Sequence, residues 1–303
     1  MNDSYSIQDI PGRGQGAVAA RAINSGELIL EESPLLIQQY TVTAHDLAVI
    51  LSRLPRDDQI RFLSLSNAWS IHKGAYNPLV GIWLTNALPC GTPEDPKGDL
   101  TEVEGIFPAA ARFNGSCQPN VYHWWDDVAQ RLVLHAVRDI DPGEELCLGY
   151  VDVLAPRADR RAGLEEYYNY LCCCEVCSLR GQSLRDSDRR RRQLAQIRID
   201  MVDYLDPAFG LHKIKLALQL LQEEDILEYS SASFYIKGFD FCAMAGDVES
   251  ARAWAKKAWE ALSRTRGPNS SFARHWDSLA QHPEDSDVFG SGRKKYKLMG
   301  PEF

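Results

Sequence analysis

Half of the chain's eight cysteines crowd into one short stretch, Leu171-Cys-Cys-Cys-Glu-Val-Cys177, while the others stand apart at 90, 117, 147 and 242. Thiolates at C-x-C-x₂-C spacing, here Cys172, Cys174 and Cys177, suit a tetrahedral zinc ion. A short loop can aim three of them at one ion at about 2.3 Å, which leaves the fourth corner to a donor from elsewhere. In a reducing compartment such a cluster points to metal rather than to disulfides. The spacing lacks the longer runs that hold iron–sulfur clusters, and Cys173 points away from its neighbours if the loop is extended. The alternative is a set of reduced, buried, small apolar side chains, which is the reading for the isolated Cys90, Cys147 and Cys242.

Three further segments carry residue types that bind or react: Gly12-Arg-Gly-Gln-Gly16, Arg112-Phe-Asn-Gly-Ser-Cys-Gln-Pro-Asn120, and Gly143-Glu-Glu-Leu-Cys-Leu-Gly-Tyr150. The glycine loop either closes a hairpin or lets backbone approach a ligand, and it lacks the Lys-Ser/Thr ending of a phosphate loop. Asn114-Gly115 taken alone is a turn pair, as is Asn86 in Leu84-Thr-Asn-Ala-Leu88. A tyrosine at the end of an apolar strand, such as Tyr150, is in isolation a packed amphipathic residue.

The elements that must position these residues begin as β structure. Ala17 to Ala22 and Glu27 to Ile37 are extended apolar runs about the turn Asn24-Ser-Gly26. Leu47, Ile50, Leu51, Leu54, Ile60, Leu63 and Leu65 give a small helical insert over about 41–75. Gly74 to Pro93 reads as strands and turns, and Val80 to Leu154 as β text in which Arg131 to Val137 alternates like a half-buried strand. Of Trp124-Trp125 one ring belongs in the core, and Asp126-Asp127 makes a hairpin turn. Beyond about 180 the apolar residues recur at helical spacing, and Ala251, Trp254, Ala255, Ala258, Ala261 and Leu262 form a small-residue stripe like that of a tetratricopeptide hairpin. Arg189 to Arg192 read as a solvated helix face, and Gly290 to Phe303 as a loose tail.

Together the four motifs resemble those of SET-domain methyltransferases, in the branch related to SET-and-MYND proteins but without a MYND finger. The resemblance implies an α+β chain with a SET-type β-clip fold (1–154, including the insert), a zinc-binding post-SET segment (155–180) and a C-terminal all-helical, TPR-like region (181–303). It implies S-adenosylmethionine as cofactor, bound by Arg13, Gly14, Gln15, Asn86, Asn114, Gly115, Tyr150 and Tyr170. Gly115 stands where the family pattern has histidine, and Gly149 where many members have aspartate. Tyr150 and Tyr168 match the catalytic tyrosines, with Tyr167 able to supply a ring through a one-residue shift. Cys117 matches the family's fourth ligand to one structural Zn²⁺, beside Cys172, Cys174 and Cys177.

The implied function is N-methylation of protein lysine, in a basic peptide or protein substrate such as a histone. The alternatives are a SET-type enzyme working on a small molecule and a non-catalytic binding module. At 303 residues, 45% hydrophobic and 25% charged, the chain is an ordinary globular protein, and its net charge of −9 argues against direct nucleic-acid binding. Met1 to Gln15 mixes acidic and polar residues where a secretory signal has a basic start and an apolar run, so the expected location is cytoplasmic and/or nuclear, with no membrane partner.

Overall fold

In a computed structural model, which describes residues 3–39, 41–70, 77–91, 103–292, 295 and 297–302, the chain opens with an antiparallel hairpin. Strand β1 (Tyr5–Ile10) pairs with β2 (Gly14–Ala19) from Tyr5↔Ala19 to Ile10↔Gly14, with the glycine loop at its tip. Two three-stranded sheets follow. In one, β9 (Arg131–Ala136) lies between β3 (Leu28–Glu32) and β8 (Val121–Asp126). In the other, β6 (Val103–Ile106) lies between β4 (Leu36–Gln39) and β5 (Ala87–Pro89). A short parallel pair, β7 (Asn114–Gly115) with β10 (Cys147–Leu148), ties two distant motifs together. Their shared core is built on Ile29, Phe107, Phe113, Trp125, Leu132 and Leu134.

The helical insert contains α1 (Ala44–Arg53), opened by a capping box between Thr43 and Asp46, and α2 (Arg56–Leu63). Residues 71–76, at its far end, lie outside the described residues. Leu47, Leu51 and Leu65 are buried as their spacing predicts, but Ile60 and Leu63 face solvent and Phe62 is the residue that α2 buries. The strands-and-turns expectation for 74–93 is corrected where the structure describes it: α3 (Pro78–Asn86) is a helix. The Asn77 side chain accepts from Leu79 N at 2.9 Å and Pro78 occupies the first turn, so an Asn-Pro pair that reads as a turn is a helix start.

Strand β9 is not half-buried: five of its six residues are buried. The second face is covered by α10 (Val248–Arg266), which packs on β9 and β8. Between sheet and helices run α4 (Arg157–Tyr168) and the short α5 (Glu175–Ser178). The C-terminal region then comprises α6 (Gly181–Asp200), α7 (Pro207–Glu223), α8 (Leu227–Ser230), α9 (Ala232–Met244), α10 and α11 (Ser271–Gln281) around Phe234, Phe239, Phe241 and Trp254. The whole small-residue stripe of α10 is buried.

The loose tail is also corrected. Gly290 and Gly292 donate to the carbonyls of Ala243 and Met244, Leu298 N donates to Asp247, and Trp254 Nε1 donates to Met299 O at 3.0 Å. These bonds strap the described part of the segment across the α9–α10 turn. Among the described residues no helix is long and apolar enough to cross a membrane.

Candidate functional site

Pairing of β7 with β10 sets Asn114 opposite Cys147 and Gly115 opposite Leu148, and Ser116 N adds a bond to Leu148 O at 2.8 Å. Asn120, 3% exposed, locks the joint: its Oδ1 accepts from Cys147 N at 2.7 Å and its Nδ2 donates to Glu145 O at 2.9 Å. The glycine loop reaches the same place through Arg13, whose Nη2 donates to Gly115 O at 2.6 Å and whose Nη1 donates to Glu145 Oε2 at 2.5 Å. Asn114 Nδ2 donates to Glu145 Oε1 at 2.8 Å, and Arg112 Nη1 donates to Gln15 Oε1 at 3.0 Å. Glu145 is thus the hub of three motifs, a role its sequence position did not disclose. The 3-10 turn Ala110–Arg112 that leads into Asn114 is held by buried Glu32, which accepts from Ala109 N and Ala110 N.

Tyr150 lies with its ring against Gly115. A Cβ on Gly115 would stand 2.7 Å from Tyr150 Cδ2, so the family's histidine and this tyrosine pose exclude one another. At Gly149 a Cβ would meet the Tyr229 hydroxyl at 2.6 Å, which explains the small residue there by the close approach of α8. Tyr150 Oη donates to Phe113 O at 2.5 Å, and its ring centroid is 5.3 Å from that of Tyr168, at the end of α4. Burial pushes the Tyr168 phenol up to about 12 and Tyr150 further still, so both are protonated at neutral pH. The two rings share a narrow cleft with Asn86, Ala87, Ala110 and Leu148. Asn86 reaches this cleft, but its Nδ2 is spent on Ser66 O and Ile82 O, each at 2.7 Å. Tyr170 lies beside Arg13, whose guanidinium faces its buried hydroxyl, and Arg13 Nε is buried without a partner among the described residues. Tyr167 is exposed and supplies no ring to the cleft.

Beside the tyrosines, the Sγ atoms of Cys117, Cys172, Cys174 and Cys177 all lie within 4.8 Å of one another. Cys117 Sγ and Cys177 Sγ are 3.5 Å apart, against about 3.8 Å for the edge of a tetrahedron of thiolates around zinc. The surroundings are built for a negative centre. Arg160, 1% exposed and with no carboxylate partner among the described residues, points Nη2 at Cys177 Sγ, 3.8 Å away. Arg161 donates to the carbonyls of Cys172 and Cys177, and Arg157 to that of Leu179. An unpaired buried guanidinium is costly, and four thiolates on a divalent ion leave the compensating net negative charge. The residues present fit zinc on both geometry and charge. Arg157, Arg160 and Arg161 were not singled out in the sequence, although their i, i+3, i+4 spacing places them on one helix face.

The expectation for Arg189 to Arg192 holds at Arg189 and Arg192, which are exposed, and is corrected at Arg190 and Arg191. Arg191 is fully buried: its Nε donates to Glu224 Oε2 at 2.6 Å, its Nη1 to the carbonyls of Val153 and Cys117. Arg190 pairs with the other oxygen of Glu224, whose backbone carbonyl accepts from Gln118. This ionic knot joins α6 and the end of α7 to the loop that carries Cys117.

Comparison with known proteins agrees with these features. The SET domain family model matches residues 14–151. The histone-lysine N-methyltransferase set5 of Schizosaccharomyces pombe is 31% identical over 269 residues, 88% of this chain and 80% of that one. Shorter matches are the N-lysine methyltransferase SMYD2-B of Danio rerio, 35% identical over 33% of this chain and 23% of that one, and the human histone-lysine N-methyltransferase SMYD3, 38% identical over 24% and 17%. With the family model on its β portion and a relative aligned along nearly its whole length, the chain belongs to the SET-domain family.

Proposed function

We propose that the protein is an S-adenosylmethionine-dependent N-methyltransferase acting on lysine side chains of proteins. The observation that carries this reading is the meeting of two partly buried, protonated tyrosines at one narrow cleft with the Arg13–Glu145–Asn114 cluster behind them. Arg13 Nε, buried without a partner among the described residues, and the buried Tyr170 hydroxyl that faces Arg13 fit the polar part of a cofactor lying beside the glycine loop and Gly115. Arg13, Gly14, Gln15, Asn114, Gly115 and Tyr170 would hold it there, and Asn86 would act through the cleft wall because its N–H groups are already used. When bound, the cofactor supplies an electrophilic methyl group on a sulfonium.

In-line transfer to an amine asks for alignment and a neutral nucleophile rather than a covalent enzyme intermediate. Tyr150 commits its proton to Phe113 O, which leaves its oxygen lone pairs to accept an amine N–H. Tyr168 faces it and can hold a second N–H, so the nitrogen lone pair is turned toward the donor. The apolar walls at Ala87, Ala110 and Leu148 disfavour the charged form of a lysine whose pKa in water is about 10.4.

Two of the relatives are named for histone lysine, and the chain's net charge of −9 suits a basic tail; a histone substrate would place the protein in the nucleus. The test offers purified protein and labelled cofactor to histones, to a protein extract and to a metabolite extract, with cofactor binding followed by calorimetry. Label on protein lysine is the expected result. Label on small molecules alone, or cofactor binding without any transfer, would overturn it.

A further inference from the structure

The lysine cleft has an acidic neighbour that none of the motifs contains. Glu104 lies on β6, where it pairs directly with Pro89 of β5 while Ile106 pairs with Ala87. Side chains two apart on a strand share a face, so Glu104 stands on the same face as the cleft wall at Ala87, one step or about 7 Å along the sheet. It is half-buried, and it forms no ion pair with the described residues. Its charge is felt by the Tyr168 hydroxyl, and burial raises its own pKa with no cation among the described residues to offset the cost. An uncompensated carboxylate in such a place is stabilised by whatever cation arrives beside it.

We infer that Glu104 is a specificity residue for the substrate, selecting peptides that carry a lysine or arginine one or two positions from the target lysine. The inference rests on the lysine methyltransferase reading and deepens it. Glu104 is not among the residues that line the cleft with the two tyrosines, so it is not placed to hold the target amine, where a carboxylate would favour the unreactive ammonium. At the mouth it instead meets a flanking cation and leaves the apolar end of the cleft to the neutral amine.

The experiment compares two peptides that differ only in having arginine or alanine on either side of a single lysine. With the wild-type protein kcat/KM should favour the arginine-flanked peptide by about five- to tenfold, mostly through KM, and the preference should shrink as ionic strength rises. In Glu104→Gln the preference should collapse toward one, and in Glu104→Lys it should pass to a peptide flanked by aspartate. Glu104→Asp, which keeps the charge, should keep the preference and serves as the control for folding. Binding of the same peptides by fluorescence anisotropy reads the preference without any methyl transfer. Wild-type protein that methylates no protein lysine would therefore defeat the functional reading alone. An unchanged or salt-insensitive preference in the glutamine variant, in binding or in turnover, would overturn the role of Glu104.

Discussion

At the scale of single residues, the account turns on Tyr150 and the glycine beneath it. Replacing Tyr150 by phenylalanine removes the oxygen that orients the amine and leaves the buried Phe113 carbonyl unsatisfied, at a cost of about 1–3 kcal/mol. Turnover should fall by well over about tenfold with cofactor affinity largely kept, and the melting temperature should drop; single-turnover rates and calorimetric titration check both. Gly115→Ala should push the Tyr150 ring out of place and lower kcat more than it raises the cofactor Kd, with about 1–3 kcal/mol of overpacking visible in denaturant unfolding. The four cysteines and the two tyrosines could be named from the sequence because each sits in a short motif. Glu145 and Asn120 lie in the same motifs and Arg160 outside them, but the roles of all three depend on partners from other segments and could not be read there. Sequence likewise gave no sign that Asn86 would spend its amide within its own helix and on Ser66.

At the scale of elements, the strands and most helices follow from local pattern, and the misreadings share a cause. Periodicity reports one face of an element, and α10 buries the second face of β9, while α3 was hidden behind an Asn-Pro pair that serves equally as turn or cap. The basic run on α6 divides: Arg189 and Arg192 meet solvent as their charge suggests, while Glu224 at the end of α7 supplies a buried counter-charge to Arg190 and Arg191. Glu224 keeps Arg190 and the Ser187 hydroxyl as partners when Arg191 is removed, so Arg191→Ala should cost about 1–3 kcal/mol in chemical denaturation through its lost buried hydrogen bonds. Because Arg191 also binds the carbonyls of Cys117 and Val153, the variant should lose cofactor affinity even where it remains folded. Unaltered stability would show that the knot contributes nothing.

At the scale of the whole molecule, the fastenings between the helical region and the β portion include the Arg191–Glu224 knot, the approach of Tyr229 to Gly149, and the packing of α10 on β8 and β9. The sheet carries a pH dependence on both faces, through His135 on the side that meets the end of α10 and His123 on the side of the β core. His123 of β8 and His135 of β9 are held down at about 4 by burial. On unfolding they return to about 6.5. Between those values the unfolded chain binds more protons, so stability falls as pH falls from about 6.5 toward about 4 and is independent of these groups above that range. Urea midpoints measured from pH 7 to pH 4.5 should decline in wild type and decline less in His135→Gln. A parallel decline in both would remove His135 from the account.

Assembly of the site around one metal is the claim on which the rest depends, and metal content measured together with cofactor titration tests it directly. The protein as purified should carry one zinc ion per chain, and stripping it with a chelator should lower the melting temperature and abolish cofactor binding, both restored by adding zinc back. Protein that holds no zinc and binds the cofactor equally well before and after chelation would contradict the account.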